Sequence, residues 1–167
     1  MPSSTNRPVA VFHLHPAIIS VAVLTALLFQ TFLPLKLPFA RSMDFPLLIT
    51  VYFTLIRQNQ IFGIALGSVL GLIQDALSHG YLGMFGMAKA TVGFLAATAA
   101  MRFNFESLFA RCVATACLVV IHDLCMTALQ HALLESPPPF LPLDRASSVL
   151  VNVALSLIFF PILDRFR

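Results

Sequence analysis

Long apolar runs, separated only by short polar or proline-containing links, follow one another from residue 16 to residue 163 of this chain. Charged residues make up only 10% of its 167 residues, whereas a soluble domain carries about 25%. Such a chain has too few polar side chains to cover a water-soluble surface. Because one membrane-spanning helix needs about 20 mostly apolar residues, the length predicts about six spans and an all-α integral membrane protein.

The apolar runs divide into six predicted transmembrane helices within a single membrane domain, residues 1–167. The predicted spans are 16–33, 45–58, 61–77, 84–101, 107–134 and 146–163. The second is short, because its apolar part of about 12 residues reaches only about 18 Å as a helix. It is therefore either a re-entrant segment or a helix that crosses a locally thinned bilayer. Asp44 is expected to cap it, with Pro46 in its first turn.

Basic residues are distributed unevenly between the two sides that these spans define. One side carries Arg7, Arg57, Arg102, Arg111, Arg165 and Arg167. The other side carries Lys36, Arg41 and Arg145, and Lys89 lies within the fourth span. Because basic residues accumulate on the cytoplasmic side of membrane proteins, both termini are predicted to be cytoplasmic. A stiff, extended loop is expected around Pro137, Pro138 and Pro139, before the last span.

A small or polar residue recurs every fourth position between residues 61 and 83. These residues are Gly63, Gly67, Gly71, Asp75, His79 and Gly83. On a helix, residues four apart lie on nearly one face, so the glycines form a groove that lets another helix approach closely. We interpret Gly63, Gly67, Gly71 and Gly83 as a helix-packing or partner interface. The sequence leaves open whether a span of the same chain or the single helix of a partner occupies it, although internal packing is the more common use.

Four ionisable residues interrupt the apolar spans: Asp75, Lys89, His122 and Asp123. Asp75 and Lys89 flank one short turn at similar predicted depth. An ion pair between them is the first hypothesis, because an unpaired charge within a membrane is costly. The alternative is that Lys89 extends toward the interface while Asp75 accepts hydrogen bonds from nearby backbone N–H groups.

His122 and Asp123 are neighbours on one predicted helix, where side chains point about 100° apart, so they are not expected to face the same partner. We expect Asp123 to form buried hydrogen bonds that join spans. A proton or ion path through the four groups is an alternative. Nothing in the spacing pairs them with a nucleophile such as Ser68 or Cys125. We therefore expect no catalytic residues, no enzymatic activity, no metal, no cofactor and no nucleic-acid surface.

Residues 67–96 contain a G-x-x-x-G-L-x-x-D step, a small polar turn, a Leu-Gly pair and a second apolar span with a Gly-Phe-Leu run. The residues of this pattern are Gly67, Gly71, Leu72, Asp75, Ser78, Leu82, Gly83, Gly93, Phe94 and Leu95. The pattern resembles the MreD family, the rod shape-determining membrane proteins of bacteria. The preceding segment, residues 44–58, is similar to the second segment of that family.

This resemblance implies a non-enzymatic, multi-pass subunit of the elongation machinery in the bacterial inner membrane. The partners it implies are an MreC-like protein and, indirectly, an MreB-like filament, a RodA-like glycosyltransferase and a class B penicillin-binding protein, besides membrane lipid. The family's fold is similar to that of the substrate-binding subunits of energy-coupling-factor transporters. The alternative function is therefore a small-molecule (vitamin)-binding subunit of a transporter. Such a site would need a polar outer pocket, and few polar residues besides Asp75, Lys89, His122 and Asp123 are available for one.

Overall fold

The computed structural model describes residues 16–78, 81–135 and 142–165, and within these residues it contains helices and no strands. The α-helices are α1 (Pro16–Lys36), α2 (Phe45–Arg57), α3 (Gln60–Ser78), α4 (Met84–Arg102), α5 (Leu108–Leu133) and α6 (Pro142–Asp164), and a 3-10 helix (Pro38–Ser42) precedes α2. The prediction of an all-α protein is confirmed. His79, the proline triplet at 137–139, Arg7 and Arg167 lie outside the described residues.

Two helix boundaries differ from the predicted spans by more than one residue. Helix α1 continues through Pro34 to Lys36, although the sequence predicted an end at residue 33. Pro34 lacks an N–H donor, but the helix is close to its end there, and the N–H of Leu37 still donates to the carbonyl oxygen of Leu33. Helix α6 begins at Pro142, four residues earlier than predicted. Proline suits a first helical turn because the missing N–H has no partner in that position.

Helix α2 forms the centre of the bundle. Residues 45–55 are all buried, and α2 contacts each of the other five α-helices. The predicted cap is confirmed, because the Asp44 carboxylate accepts a hydrogen bond of 3.0 Å from the N–H of Leu47. The other five helices are long and apolar enough to cross a membrane, whereas α2 has only 13 residues. Because neighbouring helices surround it, this short helix has no need to match the bilayer thickness on its own.

Side-chain contacts near the helix ends establish how the helices run. The Tyr52 hydroxyl, late in α2, donates to the carboxylate of Asp164 at the end of α6 over 2.8 Å. That carboxylate also pairs with Arg111, near the start of α5, at 2.7 Å. Helices α5 and α6 are therefore antiparallel, and the short connections between the other consecutive helices reverse the chain direction in the same way. We call the end that contains the start of α2 the Asp44 end, and the opposite one the Asp164 end.

The first and last described residues lie at the same end of the bundle. Ala17 of α1 and Leu163 of α6 both line an apolar cavity of about 390 Å³ between these two helices. The chain therefore passes through the bundle an even number of times between the start of α1 and the end of α6. This arrangement agrees with six antiparallel helices and short connections.

Candidate functional site

The glycine groove on α3 is filled by α4 of the same chain. Gly63, Gly67 and Gly71 are all buried. A Cβ atom added at any of them would lie less than 3.0 Å from a backbone carbonyl oxygen of α4. Real Cβ atoms do not approach other atoms so closely, so only glycine permits this distance between the two helices. The groove has no room for the helix of a partner protein.

Gly83 does not belong to this groove, which corrects the prediction that placed it on the interface. A Cβ atom at Gly83 would meet nothing within 4 Å, but its φ of 101° lies in the left-handed region that favours glycine. Gly83 therefore shapes the turn before α4 and does not pack a helix. Gly93 of α4 instead completes the interface, since a Cβ atom there would collide with the backbone of Gly63. In the sequence, Gly93 was marked by the Gly-Phe-Leu run of the second apolar span.

The Asp75 carboxylate binds the backbone at the beginning of α4, and we call this contact the Asp75 clasp. It accepts hydrogen bonds from the backbone N–H groups of Gly83 at 2.9 Å, Phe85 at 3.2 Å and Gly86 at 3.2 Å. The first N–H groups of a helix lack partners within the helix, and a negative charge is favourable at that end. Because Asp75 is only 1% exposed, these bonds are shielded from water and hold the α3–α4 hairpin together.

Lys89 forms its ion pair with Asp44 and not with Asp75. The hypothesis of an Asp75–Lys89 pair is therefore wrong. Of the alternative, the part that Lys89 extends outward is also wrong, because its side chain is completely buried, whereas the part that Asp75 accepts hydrogen bonds from nearby backbone N–H groups is confirmed. The depth argument considered only the hairpin of α3 and α4. It did not include the start of α2, which lies beside α4 and supplies the carboxylate.

Further ionisable side chains extend this pair into a row that reaches four helices, α2, α4, α5 and α6. His122 Nε2 lies 3.9 Å from Asp44 Oδ2, and His122 Nδ1 lies 3.5 Å from Asp123 Oδ1. The Asp123 carboxylate lies 3.6 Å from the guanidinium of Arg145 on α6. We call Asp44, Lys89, His122, Asp123 and Arg145 the Asp44 cluster. As expected, His122 and Asp123 face different partners, Asp44 and Arg145, although they also contact each other.

Two uncharged residues fix the start of α2 beside this cluster. Asn152 of α6 accepts a 2.9 Å hydrogen bond from the backbone N–H of Asp44 and donates another of 2.9 Å to the carbonyl oxygen of Ser42. Gln30 of α1 accepts a 3.1 Å hydrogen bond from the N–H of Phe45. The sequence argument did not select Gln30 or Asn152. In the sequence, each of them is marked only as an isolated amide in an otherwise apolar span, and such a side chain usually faces the protein interior.

A cavity of about 910 Å³ lies above the Asp44 cluster and receives side chains from all six α-helices. More than half of the residues that line it are polar, among them Gln30, Gln74, Gln130, Ser148 and Asn152. The sequence argument had expected too few polar residues for an outer pocket. That expectation was wrong because no span contributes more than three polar residues to the cavity, and the bundle collects them at one end.

Some polar atoms around this cavity have no hydrogen-bond partner. Gln74 Oε1, His122 Nε2 and Asp123 Oδ2 are buried without one among the described residues. Such atoms are uncommon in folded proteins, because an unpaired buried polar group costs free energy. In the part of the chain that the structure describes, no group of three His, Cys, Asp or Glu side chains could hold a metal ion.

Comparison with known proteins assigns the family. The model of the family described as "rod shape-determining protein MreD" matches residues 11–166. The chain belongs to the MreD family. No curated protein and no solved structure matches it. In this MreD-family protein, the glycines and the aspartate of the sequence pattern, Gly67, Gly71 and Asp75, all act at the α3–α4 interface.

Proposed function

We propose that this MreD-family protein is a non-catalytic membrane subunit of the bacterial cell-elongation complex. In that role it binds an MreC-like protein and supports lateral peptidoglycan synthesis and cell shape. An MreB-like filament, a RodA-like glycosyltransferase and a class B penicillin-binding protein are its indirect partners. The observation that carries this proposal is the family match over nearly the whole chain.

The roles of the buried polar groups support a function without catalysis. Asp75 holds the start of α4, and Asp44 both caps α2 and neutralises Lys89. These groups are occupied in joining helices, in agreement with the rule that buried charges inside a membrane pair with one another or with backbone groups. Because α4 fills the glycine groove, we place the contact with an MreC-like partner on other surfaces of the bundle.

We infer that the Asp164 end faces the cytoplasm, with the protein in the bacterial inner membrane. Within the described residues, that end carries four arginines: Arg57, Arg102, Arg111 and Arg165. At the Asp44 end, Lys36 ends α1 and Arg41 belongs to the 3-10 helix, while Lys89 and Arg145 are held in ion pairs, as Arg111 is at the opposite end. The accumulation of basic residues on the cytoplasmic side of membrane proteins supports this orientation.

The proposal is tested in a rod-shaped bacterium that has been depleted of its own MreD protein. Expression of this chain together with its own MreC-like protein should restore rod shape, and the tagged chain should co-purify that MreC-like protein from mild detergent. A chain that reaches the membrane at a normal level, leaves the cells round and brings down no MreC-like protein would contradict the proposal.

The polar cavity favours a second candidate function, the small-molecule-binding subunit of a membrane transporter. Its volume of about 910 Å³ lies within the size range of ligand sites in proteins. This candidate predicts that the chain co-purifies a transporter ATPase and retains a vitamin-sized molecule. Co-purification of the MreC-like protein without either of these supports the first proposal.

A further inference from the structure

The cavity at the Asp44 end is polar at its base and apolar at its rim. Leu35 of α1 and Leu77 of α3 line it, yet these side chains are 75% and 47% exposed. In a membrane, exposed leucines of spanning helices contact lipid chains. The cavity therefore connects the buried charges with an apolar surface and suits a molecule that has both a polar and an apolar part.

The charges of the Asp44 cluster are not equally available to such a molecule. Asp44 already receives hydrogen bonds from Leu47 and Lys89, one at each carboxylate oxygen. Asp123 and Arg145 form a looser pair, because their closest atoms are 3.6 Å apart and their side chains are 14% and 33% exposed. The cavity thus presents one positive and one negative group side by side.

The unpaired atoms around the cavity lack donors. Asp123 Oδ2 and Gln74 Oε1 can accept hydrogen bonds, but neither has a donor among the described residues. Gln74 is only 7% exposed. Carboxylate and amide oxygens have no proton to give, so only a molecule with N–H or O–H groups can satisfy them. Both residues line the cavity, so a donor that enters it lies beside them.

We propose that this cavity binds a zwitterionic group, with an ammonium that donates to Asp123 and Gln74 and an anionic group that pairs with Arg145. The two charges of the ligand match the two charges of the loose pair, and the N–H donors match the unpaired oxygens. The same chemistry occurs in the headgroup of phosphatidylethanolamine and in free headgroup-like solutes. The apolar rim favours the lipid. The inference assumes neither of the two candidate functions.

Nanodiscs of defined composition test the proposal. The protein is placed in phosphatidylcholine discs that contain a minor fraction of phosphatidylethanolamine, released under mild conditions and weighed by native mass spectrometry. Phosphatidylcholine serves as the matched lipid because it is zwitterionic but has no N–H donor. We expect one retained phosphatidylethanolamine per protein and no comparable retention of phosphatidylcholine.

Two variants assign any retained lipid to the cavity. Thr31→Phe fills the cavity from α1, and Arg145→Gln removes the cation. Each should weaken retention by about tenfold or more, as expected for the loss of a charged hydrogen-bonded contact or of the space itself. Glu106→Gln, at an exposed position beyond the other end of the bundle, should leave retention unchanged. Thermal unfolding of each variant verifies that it is folded. If Arg145→Gln does not fold, the retention measured for Thr31→Phe alone tests the proposal.

An experiment with a soluble headgroup distinguishes the two sources of the ligand. Glycerophosphoethanolamine, which is the headgroup without acyl chains, is added to the protein in discs of phosphatidylcholine alone. Binding there that is lost in Thr31→Phe would identify a solute site, whereas retention of only the intact lipid would identify a lipid site. The proposal is overturned if neither probe is bound, if phosphatidylcholine is retained equally well, or if the folded Thr31→Phe variant binds like the unmodified protein.

Discussion

Lys89 of α4 forms a buried ion pair with Asp44, the residue that caps α2 and lies 45 positions earlier in the chain. The pair joins the central helix to the α3–α4 hairpin. A charge in the middle of an apolar helix is tolerated only with a partner. Here the partner belongs to the one helix that every other α-helix contacts, so the position of α4 depends on the position of α2.

The glycine groove leads to a first prediction about folding. Gly67→Ala should lower the free energy of unfolding by about 1–3 kcal/mol or more, because the new Cβ atom collides with the backbone of α4. Gly86→Ala is the matched control, since its Cβ atom would meet the movable side chain of Leu72 at 3.2 Å and the nearest backbone atom, the nitrogen of Leu72, only at 3.6 Å. We expect that variant to stay within about 1 kcal/mol of the original protein.

A larger side chain at the same glycine also addresses the partner. Because the groove is internal, Gly67→Leu should reduce the amount of folded protein in the membrane. A Gly67→Leu variant that accumulates normally but selectively loses an MreC-like partner would show that the groove serves the partner instead. Membrane protein level, thermal unfolding and co-purification are measured on the same preparations.

The Asp75 clasp leads to a second prediction. Asp75→Ala should destabilise the protein by at least about 2 kcal/mol, because it leaves three N–H groups without their acceptor in a buried place. Asn59→Ala also removes a helix cap, the 2.9 Å bond to the N–H of Phe62, but at an exposed site. It should cost about 1 kcal/mol. Equal losses in thermal unfolding experiments would argue against a special role for the buried clasp.

Much of the local structure could be predicted because it depends on residues close together in the sequence. The spacing of Gly63, Gly67 and Gly71 indicated a packing face, and Asp44 with Pro46 indicated a helix start. The partner of Lys89 could not be predicted in this way, because it depends on which helix lies beside α4. Asp44 lies 45 positions before Lys89, and no local sequence pattern connects the two residues.

The candidate site shows the same limit. His122, Asp123, Gln30 and Asn152 lie on α5, α1 and α6, and the sequence marks each only as a polar interruption of an apolar run. They meet because the helices alternate in direction around α2. The short length of α2 suggested a re-entrant or thinned segment, whereas its enclosure by the other helices accounts for a helix of 13 residues.

Membrane orientation gives a third prediction. In a variant whose native cysteines are replaced by alanine, Tyr81→Cys lies at the Asp44 end and Asn104→Cys at the Asp164 end. Because we place the Asp164 end in the cytoplasm, a membrane-impermeant maleimide should label Tyr81→Cys in intact spheroplasts. Asn104→Cys should react only after the membrane is opened. The reverse pattern would place both ends of the described chain outside the cell.

The central claim of this account is that Asp44, and not Asp75, neutralises Lys89 and so joins α4 to the central helix α2. A pair of double-mutant cycles on the free energy of unfolding tests it most directly. Asp44→Asn retains a good helix cap, and Lys89→Met retains most of the side-chain volume. Each single change should cost about 3–5 kcal/mol, because it leaves a buried charge without its partner.

We expect the double variant Asp44→Asn with Lys89→Met to recover part of this loss, with a coupling energy of about 2 kcal/mol. The cycle of Asp75→Asn with Lys89→Met should give less than about 0.5 kcal/mol, as for residues without direct contact. A larger coupling of Lys89 to Asp75 than to Asp44, or additive losses at Asp44 and Lys89, would contradict the account.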